Sequence, residues 1–357
     1  MRVPTQGGLY HGEMGWTSPE DRERFQQFLE IDVERRRGEL SRVSDALQTV
    51  PTSPEVRDAL CALGPEDVQR ALRRHPGYPL YRKIESVRTM LELFRRALAD
   101  LNVAIAAFPA LGTANDRAAR ELREHDVSVV VNKELFAALG AAKTLVDYSR
   151  RIKDLVPADQ FESRRNQAVS PNEHALIVCL RNSVLHEVHS EANWQKVYRG
   201  GPPTTHFVID REDLLADGDL SQAAKEHLKE LGPQINITEL LSSYLQRVEV
   251  FYEWLLPEIE AHLPVDVRDC LDCRRAVEVH QARLTYQFLI KTWTNGGVDP
   301  YQHLSKYLTS EQLGAAETLP NRSPEQVDYI IGCVDIKGVC DEDLRKTVYE
   351  LFNVSTS

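Results

Sequence analysis

The sequence predicts a predominantly α protein: an antiparallel helical bundle with a small β-hairpin insertion and helical extensions at its N- and C-terminal ends. Three observations carry that prediction. Ile84, Val87, Leu91, Phe94, Leu98, Leu101, Ile105 and Phe108 alternate spacings of three and four without a miss, which is the seam of a helix packing lengthwise on another. A capping residue followed by proline recurs at Ser18-Pro19, Ser53-Pro54 and Ser170-Pro171, and proline at the first helical position marks a helix start. Strand-like runs are confined to Trp194–Arg199 and Thr204–Asp210, on either side of a Gly-Gly-Pro-Pro turn signal.

Composition sets the outer bounds. The chain has 357 residues, with 43 basic and 54 acidic side chains and a formal charge of -11. That balance disfavours a protein that grips long nucleic acid over its whole surface, but leaves room for a local basic cleft. Residues 1–15 lack the uninterrupted apolar core of a signal peptide. No run reaches the roughly 18 apolar residues of a membrane span. The expectation is a reduced, cytoplasmic protein with no membrane partner.

Taken in order, residues 1–16 read as an irregular lead-in. A helix opening at Ser18-Pro-Glu-Asp21 runs to about Leu47, with Phe25, Phe28, Leu29, Val33 and Leu40 on its apolar side. Further starts lie at Ser53-Pro-Glu55 and Gly64-Pro-Glu66, and Gly77 with Pro79 closes this group. The 84–108 seam, about 37 Å long at helical rise, fits a neighbour in the same chain or in a second copy equally well. Residues 114–153 are again helical, with Leu135, Leu139, Ala142 and Val146 as a stripe. The hairpin follows the Ser170–Glu191 stretch. Asn236–Glu239 then has capping-box spacing before a long helix with Leu241, Leu245, Val248, Tyr252, Leu255 and Ile259 inward, kinked or ended by Pro257. Beyond Pro264 come a helix over about 274–293, an Asn295-Gly-Gly297 turn and two weaker helices. The chain divides on this reading into 1–16, a helical segment 17–112, a helical domain 113–263 and a C-terminal extension 264–357.

Potential acid–base groups concentrate in Ser170–Glu191. Ser170-Pro171-Asn172-Glu173 has the spacing of a capping box. Leu176, Ile177, Leu180, Val184 and Val188 share one flank of the wheel, and Arg181, Asn182, His186 and His189 lie on the other half. Asn182 and His186 are i,i+4 neighbours, so an amide–imidazole bond could set the tautomer. This set suits phosphodiester chemistry. Histidine titrates near neutrality and can take or give a proton, while arginine's fork matches two phosphate oxygens. No metal or other cofactor is needed when the nucleophile is the RNA's own 2′-hydroxyl. Spacing alone says little, since Arg70/His75, Arg120/His125 and Arg275/His280 repeat it. The cap, the apolar run and the asparagine directly after the arginine distinguish Arg181/His186.

Leu180–His186, LRNSVLH, resembles the Arg-Asn/His-x-x-x-His signature of HEPN domains, helical-bundle proteins of which many are metal-independent endoribonucleases. Asn132-Lys-Glu-Leu135 and Thr144-Leu-Val-Asp147 before it are similar to the pattern of one bacterial subgroup. So are the hairpin and the helix with Tyr244 and Phe251-Tyr-Glu-Trp254 after it. The likeness covers about residues 115–260 and makes 113–263 the HEPN-like domain. It implies Arg181, Asn182 and His186 in an active site that cleaves an RNA substrate to a 2′,3′-cyclic phosphate. It also implies a homodimer with the site at its interface, and a role in phage defence or as a toxin with an antitoxin or regulator protein. The tyrosine common after the histidine in toxin-type members is replaced here by His186-Glu-Val-His189, which leaves Glu187 and His189 as accessory candidates or exposed side chains.

Lys196 and Arg199, beside Trp194 and Tyr198, offer substrate contacts by charge and stacking, or belong to a hairpin packed on the bundle. Cys270-x-x-Cys273 with Cys333 and Cys340 would make a zinc site only if all four converged; the wide second spacing favours buried thiols. Phosphate-binding glycine loops and a serine nucleophile elbow are missing from the sequence. The alternative to the nuclease is a non-catalytic HEPN-like helical protein that binds a nucleotide or RNA or acts as a scaffold.

Overall fold

A computed structural model describes residues 19–107, 117–186, 193–197, 204–216 and 220–354. Within those spans the side chains of 19, 21, 22, 25, 26, 28, 117–124, 183–186, 193–197, 204 and 205 stand outside the description. The fold is predominantly helical with a small antiparallel sheet, and it forms two compact units: 79–264, and 1–78 together with 265–357. No helix of the described residues is long and apolar enough to cross a membrane.

The 79–264 unit is built on α4 (Tyr78–Ala106), α5 (Arg117–Arg150), α6 (Ala158–Ala168), α7 (Pro171–His186), α8 (Arg211–Ala216), α9 (Gln222–Glu230) and α10 (Ile237–Ala261). The α4 seam is core within its own chain: Ile84, Val87, Leu91, Phe94, Leu98, Leu101 and Ile105 are each no more than 5% exposed. Phe108 lies outside the described residues. The partner of this seam is α10, through the Phe94 and Tyr244 rings 6.2 Å apart and through Arg95 Nε to Glu249 at 2.6 Å, with Arg88 paired to Glu260 further along. Thus α4, which the sequence reading put in the segment 17–112, packs with the elements that follow it. Pro79 opens the 79–264 unit, so the preceding group ends just before it, as expected. It stands in the first turn of α4, where its missing N–H leaves no helical bond unmade.

Of the two expectations for Pro257, a kink or an end, the end is ruled out: α10 continues to Ala261. The start of α10 follows the sequence, since Asn236 caps it by accepting the Thr238 and Glu239 amides at 3.1 and 3.4 Å. The hairpin forms as β1 (Asn193–Val197) and β2 (Thr204–Asp210), and β3 (Gln234–Asn236) adds an unforeseen third strand in the order β1-β2-β3. Three residues are too few to show an alternation, so β3 gave no signal of its own. α6 was also unforeseen, because its polar sequence buries only Phe161, which meets Phe251 of α10 edge-on at 5.4 Å.

The other unit holds α1 (Pro19–Ala46), α2 (Pro54–Cys61), α3 (Pro65–Leu72), α11 (Val265–Asn295), a 3-10 turn Pro300–Lys306, α12 (Ser310–Glu317), α13 (Pro324–Val334) and α14 (Glu342–Leu351). Two apolar clusters sit at different levels of α11. Val43, Leu47, Leu60, Val68 and Leu72 gather around its Cys273 and Val277; Leu304, Val327, Ile330, Leu344 and Phe352 gather around its Ile290. Of the expected apolar side of α1, Phe25 and Phe28 lie outside the described side chains, and among the rest only Leu40, near the C-terminal end, packs on a core cluster. Leu29 and Val33 are 44% and 51% exposed, whereas Val43 is buried. Gly77 is required where the chain turns toward α4, because a Cβ there would run into the Asp266 backbone. The Asn295-Gly-Gly297 turn is as expected, with Gly297 at φ +62°.

Candidate functional site

α7 buries Leu176, Ile177 and Leu180 almost completely and leaves Arg181 and Asn182 half-buried at the edge of that stripe. Arg181 Nη1 donates to Asn182 Oδ1 at 3.1 Å. Neighbours in sequence do not face each other on a helix, so the long arginine arm folds round to make this contact. The Asn182 carbonyl oxygen is therefore committed to Arg181. His186 is the last residue of α7, one turn after Asn182; its ring, and with it the expected amide–imidazole bond, lies outside the described residues. So do Val184 as a side chain and Glu187, Val188, His189 and Arg199 altogether. Lys196 is placed in β1 opposite Thr205, with its side chain outside the description.

The N-terminal half of α7 is a second polar centre. Ser170 Oγ accepts the Glu173 amide at 3.0 Å, the cap that the sequence announced. The Glu173 carboxylate, however, is held by Arg247 of α10, through Nε at 3.1 Å and through Nη2. A buried carboxylate takes the strongest donor within reach, and a charged fork exceeds a backbone amide. One residue on, His174 Nδ1 and the Tyr244 hydroxyl share a hydrogen bond of 2.8 Å, with the rings nearly parallel. Burial, with Arg150 nearby, pushes the His174 pKa down to about 4. The Tyr244 phenol is raised, chiefly by burial. Both groups are neutral near pH 7, and their hydrogen bond ties α7 to α10. Tyr252 completes the seam by donating to the Leu145 carbonyl oxygen at 3.1 Å.

His174 and Arg181 are seven residues apart, about 10 Å along one side of α7. The helix thus carries a locked end and a partly open end. Sequence inspection passed over His174 and Arg247 because neither sits in a motif. The signal that could have flagged them is a Glu-His pair inside the first turn of an apolar helix, where burial would demand partners from another element.

A third polar cluster lies in the unit of residues 1–78 and 265–357. Among the described residues, His75, Asp269 and Cys273 each bring one possible metal-ligand atom within 4.8 Å of the others, all buried. Its hydrogen bonds argue for a structural hub. The Gly77 N–H donates to His75 Nδ1 at 3.1 Å, so the ring proton is on Nε2, facing Asp269 Oδ2 at 3.2 Å. A metal at Nε2 would force that proton onto Nδ1, against the Gly77 N–H. Asp269 is further engaged by the Thr52 amide at 2.8 Å, the Thr52 hydroxyl at 2.6 Å and Arg57 Nη2 at 2.8 Å. A carboxylate holding four donors, one of them cationic, has little left for a metal. Cys273 and Cys270 are core thiols, both raised by burial, Cys270 to about 12. Cys333 and Cys340 pack instead around the Ile290 cluster, so the four cysteines do not assemble one site.

Comparison with protein-family models, curated proteins and solved structures found no match for this chain.

Proposed function

We propose that this chain is a HEPN-type, metal-independent endoribonuclease acting as a homodimer, with Arg181, Asn182 and His186 in its active site. The observation that carries the reading is the Arg181–Asn182 pair, presented half-buried where α7 emerges from its apolar packing and one turn ahead of His186. Asn182 holds the guanidinium from one side, and among the described residues its other N–H donors have no further hydrogen bond, so they can meet phosphate oxygens. In the reaction His186 removes the proton of a ribose 2′-hydroxyl, and that oxygen attacks the adjacent phosphorus. The 5′-oxygen of the next nucleotide leaves with a proton from a second acid, the His186 of the partner copy, giving a 2′,3′-cyclic phosphate and a free 5′-hydroxyl. Arg181 stabilises the charge that builds on the non-bridging oxygens. A cytoplasmic role in phage defence or in a toxin–antitoxin pair follows from the same reading.

Purified protein is expected to cleave RNA in EDTA, with a cyclic phosphate at the new 3′ end. His186→Ala and Arg181→Ala abolish cleavage while leaving the helical fold intact. Asn182→Ala lowers kcat at least about tenfold without destabilising the chain, because it releases a guanidinium that was held in place. Cleavage that survives both of the first two substitutions ends the assignment. RNA or nucleotide binding without cleavage, lost in Arg181→Ala, selects the non-catalytic alternative, which the net charge of -11 favours.

A further inference from the structure

The cluster around Ile290 in the unit of residues 1–78 and 265–357 is not fully packed. Between α11, the 3-10 turn, α13 and α14 lies a pocket of about 150 Å³, partly open to solvent, lined by Leu289, Trp293, Leu304, Ile331, Val348 and Phe352, among others. Its walls are almost wholly carbon. Two of the polar groups around it are occupied elsewhere. Asp335 accepts the Val339 and Cys340 amides at 2.9 and 2.8 Å, and the Tyr286 hydroxyl donates to the Val334 carbonyl oxygen at 3.3 Å. Two ion pairs join the surrounding elements, Arg345 with Asp328 and Arg283 with Asp341.

Those facts define the ligand. Water needs two to four polar partners to be held firmly, and these walls supply almost none, so water at the floor of the pocket is easily displaced. A carboxylate or phosphate taken inside would lose its hydration and find no counter-charge, and for an ammonium the one acid among the lining residues, Asp335, already accepts two backbone amides. An uncharged apolar molecule loses nothing and recovers the dispersion contacts that the walls now lack. A cavity of about 150 Å³ holds one benzene-sized ring. We propose that this cavity is a binding site for a small, uncharged aromatic or hydrocarbon molecule. Nothing in it depends on the ribonuclease reading, because the site lies wholly within residues 286–352.

Trp293 lines the cavity and reports on it. With the full-length protein and bromobenzene as probe, heavy-atom quenching of tryptophan fluorescence should saturate, with a Kd on the order of 0.1–1 mM. The saturating component disappears in Trp293→Phe and is displaced by benzene. Val348→Phe, which fills the cavity from a half-buried position, weakens binding at least tenfold. Benzoate, of nearly the same shape, fails to displace the probe. Should Val348→Phe not fold, the Trp293→Phe and benzoate arms still decide the matter. Quenching that rises linearly and equally in wild type and Trp293→Phe overturns the site, and benzoate competing as well as benzene overturns its apolar chemistry. If quenching is lost as concentrated protein self-associates, the occupant is a second copy and the small-molecule assignment falls.

Discussion

Arg247 reaches from α10 to the carboxylate of Glu173 on α7, a side chain that is only 5% exposed, while its own guanidinium arm remains 45% exposed. The pair is therefore asymmetric. Glu173 depends on Arg247 for its charge to be tolerable inside the bundle; Arg247 keeps water on one side.

Removing the arginine alone should cost more than removing both charges. Arg247→Ala is expected to destabilise the chain by about 2–3 kcal/mol, below the 3–5 kcal/mol of fully buried pairs because water can enter at the arginine side. Arg247→Met with Glu173→Gln should recover at least half of that loss. Urea denaturation measures both. Equal destabilisation by the single and double variants would show that the ion pair carries no coupling.

The His174–Tyr244 contact makes stability depend on pH. The folded pKa of His174 is about 4, below the roughly 6.5 of an unfolded histidine. Between these values the unfolded chain binds the extra proton, so the contribution is complete above about pH 6.5 and is lost as pH falls toward 4. It amounts to at most roughly 3 kcal/mol. NMR titration of the His174 ring should give a midpoint well below 5, and His174→Gln should flatten the stability profile across that window. A midpoint near 6.5 would contradict the burial that defines this contact.

Asp269 gathers Thr52, Arg57 and His75 with a side chain 3% exposed, and those donors outweigh its burial to hold its pKa below the usual carboxylate value. Asp269→Ala strands these donors and should destabilise its unit by about 3–5 kcal/mol. Faster amide exchange is expected at Thr52 and Gly77, whose N–H groups use this hub directly or through His75. The depressed pKa means that the carboxylate's contribution is present above about pH 4 and disappears as pH falls through the folded value. Zinc binding by the wild-type protein that is lost in Asp269→Ala would refute the hub and make the cluster a metal centre.

Much of the fold was legible because it rests on local rules. The α4 spacing named its buried residues one by one, and Ser53, Ser170 and Asn236 marked helix starts that their own side chains close. Proline was a less exact guide: Pro79 marks the end of the first group from within the first turn of α4, and Pro257 lies inside α10 and not at its end. At the candidate site, the residues Arg181 and Asn182 and the apolar stripe behind them were legible from periodicity.

What the sequence determined by itself was the position of most long helices, the buried faces of α4 and α10, and the placing of Arg181 and Asn182 beside the apolar stripe of α7. Only the tertiary structure decided that the α4 seam meets α10 of its own chain, that Glu173 turns from its cap to Arg247, and that His75 and Asp269 meet across 194 residues of sequence. The physical reason is one of range. Periodicity and capping involve atoms within a turn or two of each other, whereas a buried charge must find its partner wherever packing brings one. That choice leaves no pattern in the neighbouring residues.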